Sequence, residues 1–227
     1  MDIKQDLIQI CQNFKLSDNI PVIVKEPYIP YIPESSNGVL VVAESQNLSK
    51  KIQPYVDKLM KSSPNERILR LYNPDNILHI HPWDDGSIKL ALGSLSIEVE
   101  KTCVSNAVLW SQVGKNDQNI NPSKILQTQS KKLWIQMLEV LKPDVIICCG
   151  KIAQETFNSI YKCKMVHLRL PASTSLSRVS GMFTETDLLN RYPEVKRQVE
   201  LNKKWVDGKY RLNKIFYACH AVSVYQH

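Results

Sequence analysis

The sequence predicts an α/β fold, a three-layer α/β/α sandwich around a four-stranded parallel sheet, from three observations. Four short runs are mostly apolar: Val39 to Ala43, Lys101 to Leu109 around Asn106, Asp144 to Cys149 and Met165 to Leu168. Such runs suit strands buried on both faces better than the polar/apolar alternation of a half-exposed sheet. Stretches of helical period lie between them, and strand–helix alternation of this kind gives parallel strands covered by helices on both sides. At 227 residues the chain also has the length for one substantial α/β domain.

Residues 2–14 place Ile3, Leu7, Ile8, Ile10 and Cys11 at helical spacing, a first amphipathic helix. Pro21, Pro27, Pro30 and Pro33 then punctuate a connector that wraps over the domain. After Ser36-Asn37-Gly38 comes the first strand. Ser49 to Met60 is predicted helical and stopped by Ser62-Ser63-Pro64. A loop around His79 to Gly86 and a short helix over Ser87 to Leu95 lead to the second strand. Asn121-Pro122-Ser123 announces a long helix to Leu141, with Ile125, Leu126, Leu133, Trp134, Met137, Leu138 and Leu141 on its buried stripe. Pro143 ends it before the third strand. Ile152 to Tyr161 is helical, the fourth strand follows, and Glu185 to Trp205 is mainly helical with a break near Pro193. The expected organisation is 1–37 as a helix and connector packed on the core, 38–183 as the core, and 184–227 as a basic helical extension.

Hydrophobic residues make up 43% and charged residues 22%, an ordinary balance for a soluble globular protein. The net charge of +7 and pI near 9.0 favour a polyanionic partner without identifying it. Lys196, Arg197, Lys203, Lys204, Lys209, Arg211 and Lys214 crowd the tail, where a solvated helix face is the commoner meaning. The six cysteines include no Cys-x-x-Cys pair, and Cys148 and Cys149 point to opposite sides of a strand as core residues. The polar, acidic start reads as no secretory leader, and no apolar run suits a bilayer. A reducing cytoplasm, no membrane and a monomeric state are expected.

Two segments carry the chemistry. Glu44 and Ser45 close the first strand, at the end where ligands bind in open α/β sheets. A carboxylate there either serves a reaction or, with Ser45 and Asn47, caps the following helix. The loop after the fourth strand offers the hydroxyls of Ser173, Thr174, Ser175 and Ser177, the apolar Leu176 and the cation of Arg178. That set can grip a nucleic-acid backbone and enter a base stack; its serines are otherwise turn formers. Asn106, polar within an apolar strand, either presents its amide to a ligand or bonds a loop. His79, His81, Asp84 and Asp85 lack a second cluster of ligands, so no metal is expected. Trp83 either stacks on a base or packs.

Four segments, in this order, resemble the uracil-DNA glycosylase superfamily. Ala43-Glu44-Ser45-Gln46-Asn47 is similar to its first motif, and Ser105-Asn106-Ala107-Val108-Leu109-Trp110 to the strand that reads the base. Leu138 to Ala153 resembles its helix, proline, strand and Gly-x-x-Ala turn. Leu170 to Arg178, with Phe183 beyond, resembles the second motif of the mismatch-specific uracil/thymine glycosylases. The resemblance spans about residues 38 to 183 and implies a monofunctional DNA glycosylase acting by base flipping. It gives Glu44 and Ser45 a catalytic role, and Asn106, Ala172, Trp83 and Asp84 a place around the base. Ser173, Thr174, Ser175, Leu176, Ser177 and Arg178 would hold DNA. The paired iron–sulfur cysteines of some branches are missing, so no cofactor is implied.

Departures from the pattern bear on the substrate. Ala43, Gln46 and Asn47 replace the usual Gly and Pro-Gly, and Ala172 stands where a His or Asn is usual. A smaller side chain beside the base implies poor action on plain uracil and better action on a bulky, polar pyrimidine. A glucosylated hydroxymethyl base of phage DNA, excised in antiviral defence, is one such case. The same losses fit a silent glycosylase-like module that binds DNA or a partner. A nucleotide-processing enzyme is disfavoured because phosphate-cradling Gly-rich loops are absent.

Overall fold

Four β-rich segments become β1 (Val39–Ser45), β2 (Cys103–Val108), β3 (Val145–Cys149) and β4 (Lys164–Leu168). In the computed structural model, which describes residues 2–17, 20–45, 53–72, 86–112, 121–171, 179, 181–208 and 210–226, they form one sheet. The sheet is parallel throughout, in the order β2-β1-β3-β4. Strand alternation sorts its side chains into two cores. Leu40, Val42, Ile146 and Cys148 face one way, with Leu7, Trp134 and Phe157; Val39, Val41, Ile147 and Cys149 face the other, with Leu90, Ile215 and Tyr217. Cys148 and Cys149 therefore divide between the faces as their adjacency predicts.

The first face is covered by α1 (Ile3–Asn13), α5 (Lys124–Leu141) and α6 (Lys151–Phe157), with buried residues from α2 (Gln53–Lys61) and α3 (Pro64–Ile68). Asp2 caps α1 by accepting from the Lys4 N–H at 3.0 Å, and Ser123 caps α5 by accepting from that of Leu126 at 3.3 Å. Two local expectations change. Ser62-Ser63-Pro64 starts a helix as well as ending one, because Ser63 and Glu66 form a reciprocal capping box on α3. Ile125 is 59% exposed, since only Leu126 of that adjacent pair can lie on the stripe with Leu133, Met137 and Leu138.

The second face is covered by α4 (Ser87–Ser94), α7 (Glu185–Arg191), α8 (Pro193–Leu201), α9 (Lys203–Val206) and α10 (Arg211–Tyr225). The helix α10 lies within the helical extension that the sequence predicts over 184–227, which gives it no separate bounds. It buries Ile215, Tyr217, Ala218, Cys219, Ala221 and Val222, and a helix apolar on most of its circumference lacks the periodic signal of an amphipathic one. Lys196, Arg197, Lys203 and Lys204 are exposed, whereas Lys214 is buried and its Nζ donates to the Asp207 carbonyl at 3.3 Å. The Pro-rich connector runs along the outer edge of β2, where Tyr31 and Val104 exchange both backbone hydrogen bonds at 2.9 and 3.0 Å. That pairing covers an otherwise open edge. Among the described residues no helix is long and apolar enough to cross a membrane.

Candidate functional site at the carboxyl end of the sheet

The strand order places the reversal of winding between β1 and β3, because the chain goes from β1 outward to β2 and from β3 outward to β4. In open α/β sheets the crevice beyond the carboxyl ends of such strands is the usual ligand position. Glu44 lies there. Its Oε1 accepts from the Ile152 N–H at 3.0 Å, so the carboxylate caps the first turn of α6. This contact needs a glycine between β3 and α6. Gly150 has φ +99° and ψ 166°, and a Cβ there would stand 2.5 Å from Glu44 Oε1 and 2.7 Å from its carboxyl carbon. The Gly-x-x-Ala turn thus admits the carboxylate to the helix end.

The same turn is fastened to β4. The Gly150 N–H donates to the Leu168 carbonyl at 2.8 Å, and Gln154 Nε2 reaches that carbonyl at 3.4 Å. Three neighbouring strand ends, those of β1, β3 and β4, are therefore stitched together by Glu44, Gly150 and Leu168. The described chain runs from this point to Leu170-Pro171, where the hydroxyl-bearing segment begins in the sequence. Ser45 continues β1 and pairs in register with Val108.

Asn106 sits one strand away, paired in register with Ala43. It is 3% exposed, and its Nδ2 donates to the Tyr28 hydroxyl at 2.8 Å. Tyr28 is fully buried, and burial pushes its phenol up to about 12, so it stays protonated at neutral pH. The Arg70 guanidinium lies 4.6 Å from the centre of the Tyr28 ring and donates to the Glu26 carbonyl. Glu26 in turn holds Arg67 through two bonds of 2.7 Å. This chain of contacts commits one of the four hydrogen-bonding functions of the Asn106 amide to the connector.

Adjacent strands lie ~5 Å apart and residues on a strand ~3.3 Å, so the Glu44 and Asn106 backbones are close neighbours. Alternation along β1 turns Glu44 to the face of Leu40 and Val42, and Tyr28, the partner of Asn106, belongs to that same core. Trp83, Asp84, Ala172, Ser173, Thr174, Ser175, Leu176, Ser177 and Arg178 lie outside the described residues, as do His79, His81 and Asp85.

Sequence reasoning missed Tyr28, Arg70 and the Ile152 N–H as parts of this region. Tyr28 and Asn106 are 78 residues apart; the one available sign was an aromatic held between Pro27 and Pro30. A thiolate nucleophile is disfavoured here, since burial pushes Cys148 and Cys149 up to about 12. No protein-family model matches the chain, and no curated protein matches it.

Proposed function

We propose that the chain is a divergent member of the uracil-DNA glycosylase superfamily and acts as a monofunctional DNA glycosylase. The observation that carries this reading is a carboxylate, Glu44, fixed at the carboxyl ends of β1 and β3, where the winding of the sheet reverses. Four motif-like segments in the superfamily's order support it. In the proposed reaction a nucleotide is flipped out of the duplex and its C1′–N bond breaks, the electron pair leaving with the base. Positive charge develops on the sugar, where a nearby carboxylate stabilises it. Glu44 orients a water whose oxygen bonds to C1′, and accepts its proton. Binding one carboxylate oxygen to the Ile152 N–H fixes the group and leaves the other for water. Ser45, the last residue of β1, shares the catalytic role with Glu44.

In this proposal Asn106, Ala172, Trp83 and Asp84 surround the flipped base. The hydroxyls of Ser173, Thr174, Ser175 and Ser177 and the cation of Arg178 hold phosphates, and Leu176 fills the vacated stack. With Ala172 in place of a larger polar residue, the substrate is an enlarged polar pyrimidine rather than uracil. The protein works as a monomer in a reducing cytoplasm, without a metal or cofactor, in repair or in defence against modified phage DNA.

A second reading has its own support. Glu44 and Asn106 both make structural hydrogen bonds, to α6 and to Tyr28, as a silent DNA- or partner-binding module would have them. Matched end-labelled oligonucleotides carrying uracil, hydroxymethylated or glucosylated pyrimidines, followed by alkali, separate the two. New alkali-labile sites at the enlarged bases are expected. Faster release of uracil than of any enlarged base overturns the substrate assignment, and retention of DNA without release at any base favours the module.

A further inference from the structure

Away from Glu44, α7 and α10 enclose a cavity of about 350 Å³. One wall is aromatic: the Phe183 and Phe216 rings stack with centroids 5.6 Å apart at 26°. Farther along the same face of α10 comes His220, whose Nε2 is buried without a hydrogen-bond partner among the described residues. Ser223 follows three residues later, and Asp187 and Arg191 line the opposite side on α7. Burial and the charge of Arg169 hold the His220 imidazole below its ordinary pKa, so at neutral pH the ring has one donor and one acceptor nitrogen.

We propose that this cavity binds a single nucleobase, at a site separate from the strand-end carboxylate. A planar ring extends the Phe183–Phe216 stack in the offset geometry aromatic pairs prefer. The edge of a nucleobase carries donors and acceptors side by side, which matches the Ser223 hydroxyl and the His220 ring that line the cavity. Asp187 and Arg191 supply opposite charges, so the lining selects neither a net anion nor a net cation. An alkyl chain leaves the polar groups of Ser223, Asp187 and Arg191 unused, and a sugar alone leaves the aromatic wall unused. The volume lies at the small end of ligand pockets, enough for a base with its sugar and too small for a folded partner. The base has two possible sources, a free nucleoside or an unstacked base of single-stranded DNA. The site does not depend on glycosylase activity.

The test uses the full chain with adenosine and cytidine as probes, by saturation-transfer NMR and calorimetry. An unlabelled oligothymidylate serves as competitor. At least one nucleoside is expected to bind. His220→Leu and Phe183→Ala are each expected to raise its Kd by about tenfold or more, as loss of one buried hydrogen bond or stacking partner requires. Phe183 is 40% exposed, so its truncation tests the site even where the His220 change disturbs folding. Glu44→Gln is expected to leave nucleoside binding unchanged, so failure of the proposed glycosylase and failure of this site are told apart. Displacement by the oligonucleotide identifies a strand's base as the ligand, and its absence a free nucleoside; both outcomes support the site. No transfer to either nucleoside, or undiminished binding in both variants, overturns it and leaves a cavity that holds water only.

Discussion

At the scale of single residues, Glu44 and Gly150 form one unit although they are 106 residues apart in the chain (150 − 44). The carboxylate reaches the first turn of α6 only because Gly150 has no side chain and adopts a backbone conformation nearly exclusive to glycine. Gly150→Ala is expected to destabilise the fold by about 1–3 kcal/mol through backbone strain, and to displace the Glu44 carboxylate as well. A double-mutant cycle separates the two effects by chemical denaturation. In a Glu44→Ala background the steric part vanishes, so Gly150→Ala should cost measurably less there than in the wild type. Equal cost in both backgrounds means that the carboxylate does not occupy the position described.

Among the larger elements, the connector over residues 20–37 does more than join α1 to β1. It closes the edge of β2 and brings Tyr28 to Asn106, and the Glu26–Arg67 pair anchors it. The Arg67 side-chain hydrogen bond, chiefly, holds the Glu26 carboxyl below its ordinary value of 4.5. A depressed carboxylate pKa means that the stabilisation is present above that ordinary value and lost as pH falls through the depressed one. The pair is only 15% and 24% exposed, and is expected to contribute ~1 kcal/mol. Glu26→Gln should therefore lower stability at neutral pH by about that amount and flatten the decline below about pH 5. An unchanged acid limb in denaturation curves of the variant shows that the pair contributes nothing.

The elements differ in how far the sequence reveals them, for physical reasons. Strands buried on both faces leave continuous apolar runs, so all four were legible, as were the helices whose stripes face one layer. The helix α10 was legible only as part of a helical extension, because burial on most of its circumference removes the polar stripe that would mark its bounds. The candidate site was legible at Glu44 only as a position, a carboxylate at the end of a strand. Its partner, the Ile152 N–H, depends on how β1 and β3 pair, which no local pattern encodes. Asn106 has the same difficulty: its polarity stands out in an apolar strand, but its partner Tyr28 comes from the connector 78 residues away, too far for any local pattern to encode.

For the whole molecule, the sheet sets a carboxylate at its carboxyl rim, with a net charge of +7 favouring polyanions. The central claim is that Glu44 acts on the bond between base and sugar rather than only capping α6. A charge that matters mainly in the transition state affects turnover and not ground-state affinity. The most direct measurement is single-turnover base release by the wild type and Glu44→Gln, read by alkali cleavage on an oligonucleotide carrying the best enlarged pyrimidine. DNA binding is measured on the same samples. The wild type is expected to generate abasic sites, and Glu44→Gln to lose release while binding DNA nearly as tightly. Near-normal release by Glu44→Gln, or no release by the wild type from any base offered, contradicts the claim.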